Sequence, residues 1–176
     1  MERRKIYLSN PILCLAEYIR CEDDWDRYNC WMDPETQMGY NLRKVITCEE
    51  YTRESIRSRF ISTIIRCKDN ARIGAIFVSP ENTLPDLAIM IFKPYRRQGY
   101  GTMAFSLGVR YCFEKLKLDR IYAGCYPGNV LSMQMLKTCG FELHPEGNVK
   151  ERHYLTGEEI TQLDFVKWNP EKCEVE

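Results

Sequence analysis

The amino-acid order predicts an α+β (mixed α/β) domain, and three observations carry the prediction. Short apolar runs bounded by turn residues recur at 5–9, 63–67, 72–78, 87–92 and 120–126, which is strand texture. Two stretches with helical spacing, 100–118 and 129–139, each follow one of those runs. The order strand, helix, strand from Leu87 to Tyr126 is a crossover unit, which makes its two strands parallel within an otherwise antiparallel arrangement.

Taken in order, Lys5 to Ser9 reads as a strand with Ile6 and Leu8 alternating against Tyr7. Asn10-Pro11 is a helix-start pair, Asn10 as cap and Pro11 at the first helical position, for a helix to about Arg20. A second helical piece covers Glu22 to Trp31, Asp33-Pro34-Glu35 breaks it, and Thr36 to Asn41 is a loop. Thr47 caps a helix from Cys48 to about Phe60, with Glu50 completing a capping box.

Strand texture then takes over. Thr63 to Cys67 and Arg72 to Val78 flank a hairpin turn at Lys68-Asp69-Asn70-Ala71, and Ser79 to Asp86 turns the chain into the Leu87 strand. The helix from Tyr100 to Leu118 has so broad an apolar face that it must lie across a sheet. Arg120 to Tyr126 is a strand, Pro127-Gly128-Asn129 ends it, and Asn129 opens a helix to Cys139 closed by Gly140. Phe141 to Trp168 gives two or three strands around Pro145–Asn148 and Thr156-Gly157, and residues 169–176 read as a loose tail on a single domain, 1–176.

The chain has 25 Lys plus Arg and 25 Asp plus Glu, so no net field selects nucleic acid or an anionic membrane. Its nine cysteines are odd in number and contain no C-x-x-C pair, which argues against zinc, any other metal site and a disulfide framework, and for a reducing cytoplasm. The apolar run from Pro11 to Ala16 is too short for a signal segment or a bilayer span.

The stretch the chain is built around is Leu87 to Thr102. A buried-strand run ends at Pro94, a basic turn Arg96-Arg97-Gln98-Gly99-Tyr100-Gly101-Thr102 follows, and a helix begins there. The first N–H groups of a helix are unpaired and its dipole is positive at that end, which suits an anion such as pyrophosphate. Gly99 and Gly101 remove side chains that would hold a phosphate away, and Arg96 and Arg97 add charge. A Walker A loop is excluded because no lysine stands between Gly101 and Thr102. Gly99 to Ala104 fits a dinucleotide G-x-G-x-x-A, but its acidic partner, Asp119, precedes the next strand instead of ending it.

The third reading, Arg96-x-x-Gly99-x-Gly101, resembles the pyrophosphate loop of the GNAT family of acetyl-coenzyme A-dependent N-acetyltransferases. Two further segments are similar to that family: Asn129-Val130-Leu131-Ser132, and the helix end at Gly140-Phe141. Glu146 to Glu151 and the hairpin at Gly157 resemble the RimJ/RimL-like branch, which also holds spermidine acetyltransferases. The likeness covers Leu84 to Trp168 by motif and the first eighty residues by element order.

This resemblance implies the GNAT fold, in which the parallel strand pair, here the Leu87 and Arg120 strands, splays to admit acetyl-CoA. The pantetheine arm would run along the backbone of Met90, Ile91 and Phe92, and the pyrophosphate would take N–H groups from Arg97, Gln98, Gly99, Tyr100, Gly101 and Thr102. Asn129 and Ser132 would face the arm near its sulfur. The implied reaction is direct attack of a neutral amine on the thioester, with the N–H near Met90 as oxyanion donor. Many members use a tyrosine acid four residues before the glycine of Gly-Phe; Leu136 stands there, which leaves Ser132 as the nearest hydroxyl. Asp86 is the favoured base, with Glu146, Glu151 and His153 as others.

The acceptor would be a protein N-terminus, a polyamine or another small-molecule amine, bound by a monomer or homodimer. The acids Glu22, Asp23, Asp24, Asp26, Asp33 and Glu35 form a rim that would suit a cation. A coenzyme A-binding module without turnover, motivated by Leu136, is the alternative, and an NAD-dependent enzyme is a distant third.

Overall fold

The computed structural model describes residues 4–54 and 56–172. Five strands, β1 (Ile6–Ser9), β2 (Leu13–Glu17), β3 (Phe60–Arg66), β4 (Ala71–Val78) and β5 (Leu87–Ile91), form one antiparallel sheet in sequence order. Three helices, α1 (Arg20–Met32), α2 (Pro34–Gly39) and α3 (Cys48–Arg53), lie between β2 and β3. After β5 come α4 (Tyr100–Glu114), β6 (Arg120–Cys125) and α5 (Val130–Thr138). The chain then adds β7 (Glu142–Leu143), β8 (Val149–Arg152) and β9 (Glu159–Trp168). β9 pairs antiparallel with β6, β7 and β8 as a second sheet.

The segment read as a helix after Asn10 is instead β2, the return strand of a hairpin with β1. Asn10 does cap, accepting the N–H groups of Ile12 and Leu13 at 2.8 Å each, but the bond closes a turn. Burial decides the outcome. Leu13 through Ala16 are buried along both sheet faces, and a short apolar run covered on both sides has no period by which to tell strand from helix. Two other expectations change. Asp33 ends α1 and caps α2 by accepting the Thr36 N–H at 3.3 Å, so the supposed loop at Thr36–Asn41 is mostly helix. The capping box of Thr47 and Glu50 is present, yet α3 stops at Arg53 because Phe60 is needed in β3, where it pairs with Val78 and stacks on Tyr111 at 4.1 Å.

α4 packs on one sheet face. Gly108 lets it approach closely, since a Cβ there would lie 2.3 Å from Ile76 Cδ1. Phe105, Leu107 and Cys112 of α4 join Leu13, Leu15, Ile64, Ile76 and Leu87 in the main core. α1 covers the other face through polar contacts: Asp23, 2% exposed, accepts from Thr63 Oγ1 at 2.7 Å and the Ile19 N–H at 2.7 Å. The expected loose tail is tied down at its start, where the Asn169 N–H donates to Asp119 O at 2.8 Å and its Nδ2 to Leu118 O at 3.1 Å. Residues 173–176 lie outside the described residues. Among the described residues no helix is long and apolar enough to cross a membrane, and no group of three or more His, Cys, Asp or Glu is placed to hold a metal.

The narrowest fit in the first sheet is at Gly74, where a Cβ would sit 2.2 Å from the Met90 carbonyl oxygen. Backbone cannot yield as a side-chain tip does. Gly74→Ala should therefore destabilise the fold by about 1–3 kcal/mol, read as a lower midpoint in urea unfolding.

Candidate functional site

β5 and β6 run parallel but meet only at an isolated bridge between Asp86 and Tyr122, backed by a Tyr122 N–H to Pro85 O bond of 2.9 Å. Beyond that point they part, leaving a wedge between the two sheets. Each strand leads at its C-terminal end into a helix, β5 to α4 and β6 to α5. The two helices pack side by side, the first turn of α4 against the C-terminal half of α5: Met135 stands near Gly101, and Cys139, the α5 C-cap, has its Sγ 3.8 Å from Thr102 O. The positive N-terminal end of α4 thus stands beside the wedge, following the carboxyl end of β5.

The turn into α4 keeps the predicted character, with one exception. Gly99 is the N-cap at φ +80°, no side chain caps the helix, and the N–H groups of Tyr100, Gly101 and Thr102 have no turn before them to bond. A Cβ on Gly101 would meet nothing closer than Ile91 and Met135 at 3.8 Å. Internal packing therefore does not demand glycine there, and helix propensity disfavours it by about 1 kcal/mol. A bare first turn open toward the wedge fits close approach by an anion. Arg97, at φ +59°, keeps an exposed side chain paired with Glu35 at 3.1 Å.

Arg96 is the exception. Its guanidinium turns away from the turn and toward α1 and α2. Nε donates to Ile91 O at 2.9 Å, and the terminal nitrogens reach Asp33 at 2.6 Å, Thr36 Oγ1 at 2.7 Å and Glu35 at 3.1 Å. Arg96 fastens the loop to the helices and brings no free charge to a phosphate. The exposed Gln98 folds its side chain back onto the loop, donating to Pro94 O at 3.0 Å.

The Met90 N–H, expected to face the wedge, points the other way. The Phe92 N–H donates to Ile73 O at 2.8 Å and the Ser79 N–H to Asp86 O at 2.9 Å, so residues 86, 88, 90 and 92 direct their backbone groups at β4. The N–H of Met90 is thereby used within the sheet. Ile89 and Ile91 face the wedge. Their carbonyls are already taken, Ile89 O by the Tyr40 hydroxyl at 2.9 Å and Ile91 O by Arg96.

A strap at Gly39-Tyr40-Asn41 closes one side of the wedge, touching β5 through that Tyr40 bond. Asn41 Nδ2 donates to Glu151 at 3.0 Å and to Arg152 O at 2.9 Å, while its Oδ1 accepts the Tyr154 N–H at 2.9 Å. The Tyr126 hydroxyl, at the end of β6, donates to the same Glu151 carboxylate at 2.8 Å. Burial, then Glu151, push the Tyr126 hydroxyl up to about 12. Sequence reading missed Tyr126 and Asn41, since nothing local links them to Glu151. Asn129 caps α5 as expected, accepting the Ser132 N–H at 3.2 Å, and Ser132 itself is half-buried in the first turn. Leu136 is 2% exposed, a core residue. His153 and Glu146 sit on the hairpin periphery, His153 accepting from the Thr156 N–H at 3.2 Å and Glu146 3.9 Å from His144.

Asp86 lies at the apex of the wedge. Burial, then the neighbouring Asp164 carboxylate, raise its pKa to about 6, against the pull of a Gly124 N–H bond. Asp164 is itself held by His144 Nδ1 at 2.8 Å. A carboxylate of this kind is ionised at neutral pH yet still basic enough to take a proton.

The acidic rim is not free to bind a cation. Asp23 pairs with Arg4 at 2.5 Å, Asp24 with Arg20 at 3.0 Å, Asp26 with Arg72 at 2.9 Å and Asp33 with Arg96 at 2.6 Å. Glu22 is paired with Arg4, and Glu35 with Arg96 and Arg97.

A family model described as an acetyltransferase (GNAT) domain matches residues 13–142. A 65-residue stretch, 37% of this chain, is 40% identical to a protein of Bacillus subtilis (strain 168) named probable N-acetyltransferase YjcK, and spans 35% of that protein's length. A spermidine N-acetyltransferase from Vibrio cholerae, solved in complex with CoA and spermine, superposes with a TM-score of 0.78 at 16% identity, covering 90% of this chain and 96% of that one. A GNAT-family acetyltransferase from Bacillus anthracis gives a TM-score of 0.74 at 18% identity, with coverages of 93% and 98%. At such identities the likeness is one of fold.

The raised pKa of Asp86 carries a stability consequence. Its folded value, about 6, lies above its ordinary 3.8, so between those limits the folded state holds the extra proton. Stability falls as pH rises through this window, and the penalty is fully present above it. Asp86→Asn should raise the melting temperature at pH 7.5, with the gain vanishing near pH 4, as followed by calorimetry across pH.

Proposed function

Because the chain belongs to the GNAT acetyltransferase family, we propose that it is an N-acetyltransferase that moves an acetyl group from acetyl-CoA to a primary amine. The observation that carries the proposal is the wedge between β5 and β6 with the uncapped N-terminus of α4 at its mouth. Acetyl-CoA supplies an activated acetyl thioester. The N–H groups from Arg97 to Thr102 would hold its pyrophosphate, with the open face of Gly101 admitting it and the exposed Arg97 adding charge. The wedge-facing backbone of Ile89 and Ile91 would line the pantetheine arm, and their N–H groups are the donors left to polarise the thioester carbonyl.

Asp86 is the proposed base. It stands three residues before Ile89, about 10 Å along the strand, a span that one or two waters bridge. It would take the proton the amine loses as the N–C bond forms. Ser132, at the first turn of α5 beside Asn129, is the proposed proton relay to the departing thiolate. The Tyr126 hydroxyl is already given to Glu151, which with Asn41 shapes the acceptor side of the wedge.

One observation favours a second reading, a coenzyme A-binding module without turnover: the position of the usual tyrosine acid is filled by the buried Leu136. Thiol release separates the two. Incubation with acetyl-CoA and a panel of amines should release free thiol; protection of the fold by acetyl-CoA with no release from any amine would establish the binding module instead.

Three variants test the roles assigned. Gly101→Ala should leave the fold as stable as before or slightly more so, while weakening coenzyme A binding at least tenfold by titration calorimetry. Ser132→Ala and Asp86→Asn should each lower kcat at least tenfold with little change in coenzyme A affinity. The rise of kcat/KM with pH through about 6 should disappear only in the Asp86 variant.

A further inference from the structure

A cavity of about 180 Å³ opens between α1, α3 and residues 56–58. Its charge balance is unlike the rest of this face. Arg20 on its wall is paired with Asp24, and Lys44 with Glu54. Arg27 has no such partner among the described residues. Its guanidinium carbon stands 5.5 Å from the ring centre of Phe77, 5.6 Å from Tyr51 and 6.0 Å from Tyr18, within cation–π range of all three. Its Nε is buried without a hydrogen-bond partner. So is the hydroxyl of Tyr51, a residue only 4% exposed that also lines the cavity. Native structures rarely leave buried donors unpaired, and two of them at a cavity with more cations than acids call for an acceptor that carries negative charge. The acids nearby cannot serve, since Asp24 already takes Tyr18 and Arg20, and Glu54 takes Lys44.

The place of this cavity in the fold says whose anion it is. Phe77 pairs with Ala88 across β4 and β5, and cross-strand partners point to the same face. Ile76, one residue away, faces α4 through its contact with Gly108. Phe77, Ala88 and Asp86 therefore share the face that α1 covers. Strand spacing and rise put the Cα atoms of Asp86 and Phe77 about 8 Å apart. Between cavity and wedge stand Trp31, a wall residue, and Tyr40, their rings 4.8 Å apart, with the Tyr40 hydroxyl on Ile89 O. With Arg57 also on its wall, the cavity carries four cations against the two acids Asp24 and Glu54, an excess that suits an anion, and the planar guanidinium of Arg27 suits a carboxylate.

We propose that this cavity receives a carboxylate of the acceptor, so that the substrate is a primary amine with a carboxylate several bonds from its nitrogen and not a polyamine. The proposal rests on the acetyl-transfer reading for its chemistry, but binding tests it independently. Amine at Asp86 and carboxylate at Arg27 would be held at two points on one face, which orients the nitrogen toward the thioester.

The experiment compares 6-aminohexanoate with 6-aminohexanamide, alike except for the charge, by calorimetry on the coenzyme A-loaded protein and by thiol release from acetyl-CoA. The carboxylate compound should bind at least tenfold more tightly. Arg27→Gln should remove that preference, mainly through KM, and Arg27→Lys should restore part of it. Tyr51→Phe should weaken carboxylate binding without lowering the melting temperature, because the hydroxyl it deletes has no internal partner. Equal binding of the two compounds, or a preference that survives Arg27→Gln and Tyr51→Phe together, overturns the proposal. A preference in binding with no thiol released leaves the cavity standing and overturns acetyl transfer. Propionate that binds alongside the amine without displacing 6-aminohexanoate marks the cavity as a site for a free carboxylate and overturns the substrate assignment.

Discussion

The parting of β5 from β6 after a single bridge is the constraint on which the rest depends. A strand edge in the middle of a protein carries backbone donors and acceptors that must be satisfied somewhere. Here the Tyr40 hydroxyl and the Arg96 guanidinium occupy the carbonyls of Ile89 and Ile91, which leaves donors rather than acceptors facing the gap. The gap thus favours electron-rich groups along its length, and the N-terminus of α4 extends the same preference to its mouth. Asp86 at the apex is the negative counterweight, kept basic by its burial and by Asp164.

Local chemistry was legible in the order of residues. The strand from Leu87, the glycine turn, the long helix after it, and the Asn129 cap were each readable because their determinants lie within a few positions of one another. What failed needed partners from far away. Leu13 to Ala16 could be recognised as a strand only once both faces were known to be covered, and α3 stops short of Phe60 because β3 and Tyr111 claim that ring. The direction of the Met90 N–H depends on strand register, which no local pattern discloses. Arg96 carries the charge expected of a phosphate ligand, yet Asp33 and Thr36, some sixty residues earlier, take it.

The same lesson holds for electrostatics. Six acids between positions 22 and 35 look from the sequence like an attractive surface for cations, but each is matched by an arginine. The interface between α1 and the sheet is built from those pairs and from Asp23 with Thr63, so the charges are structural mortar. Among the described residues, Arg27 is the cation on that helix left without an acid. Its ring neighbours, Tyr18, Tyr51 and Phe77, come from three separate segments, so no window of sequence contains the cage.

Arg96 holds a main-chain oxygen, two carboxylates and a hydroxyl with one flat group of five N–H bonds. A lysine there would be a conservative replacement by charge alone. With a single nitrogen, it could not span from the end of β5 to Asp33, Glu35 and Thr36, so the α1–α2 junction and the glycine turn would lose their common rivet. The fork shape of the side chain, more than its sign, is what this position requires.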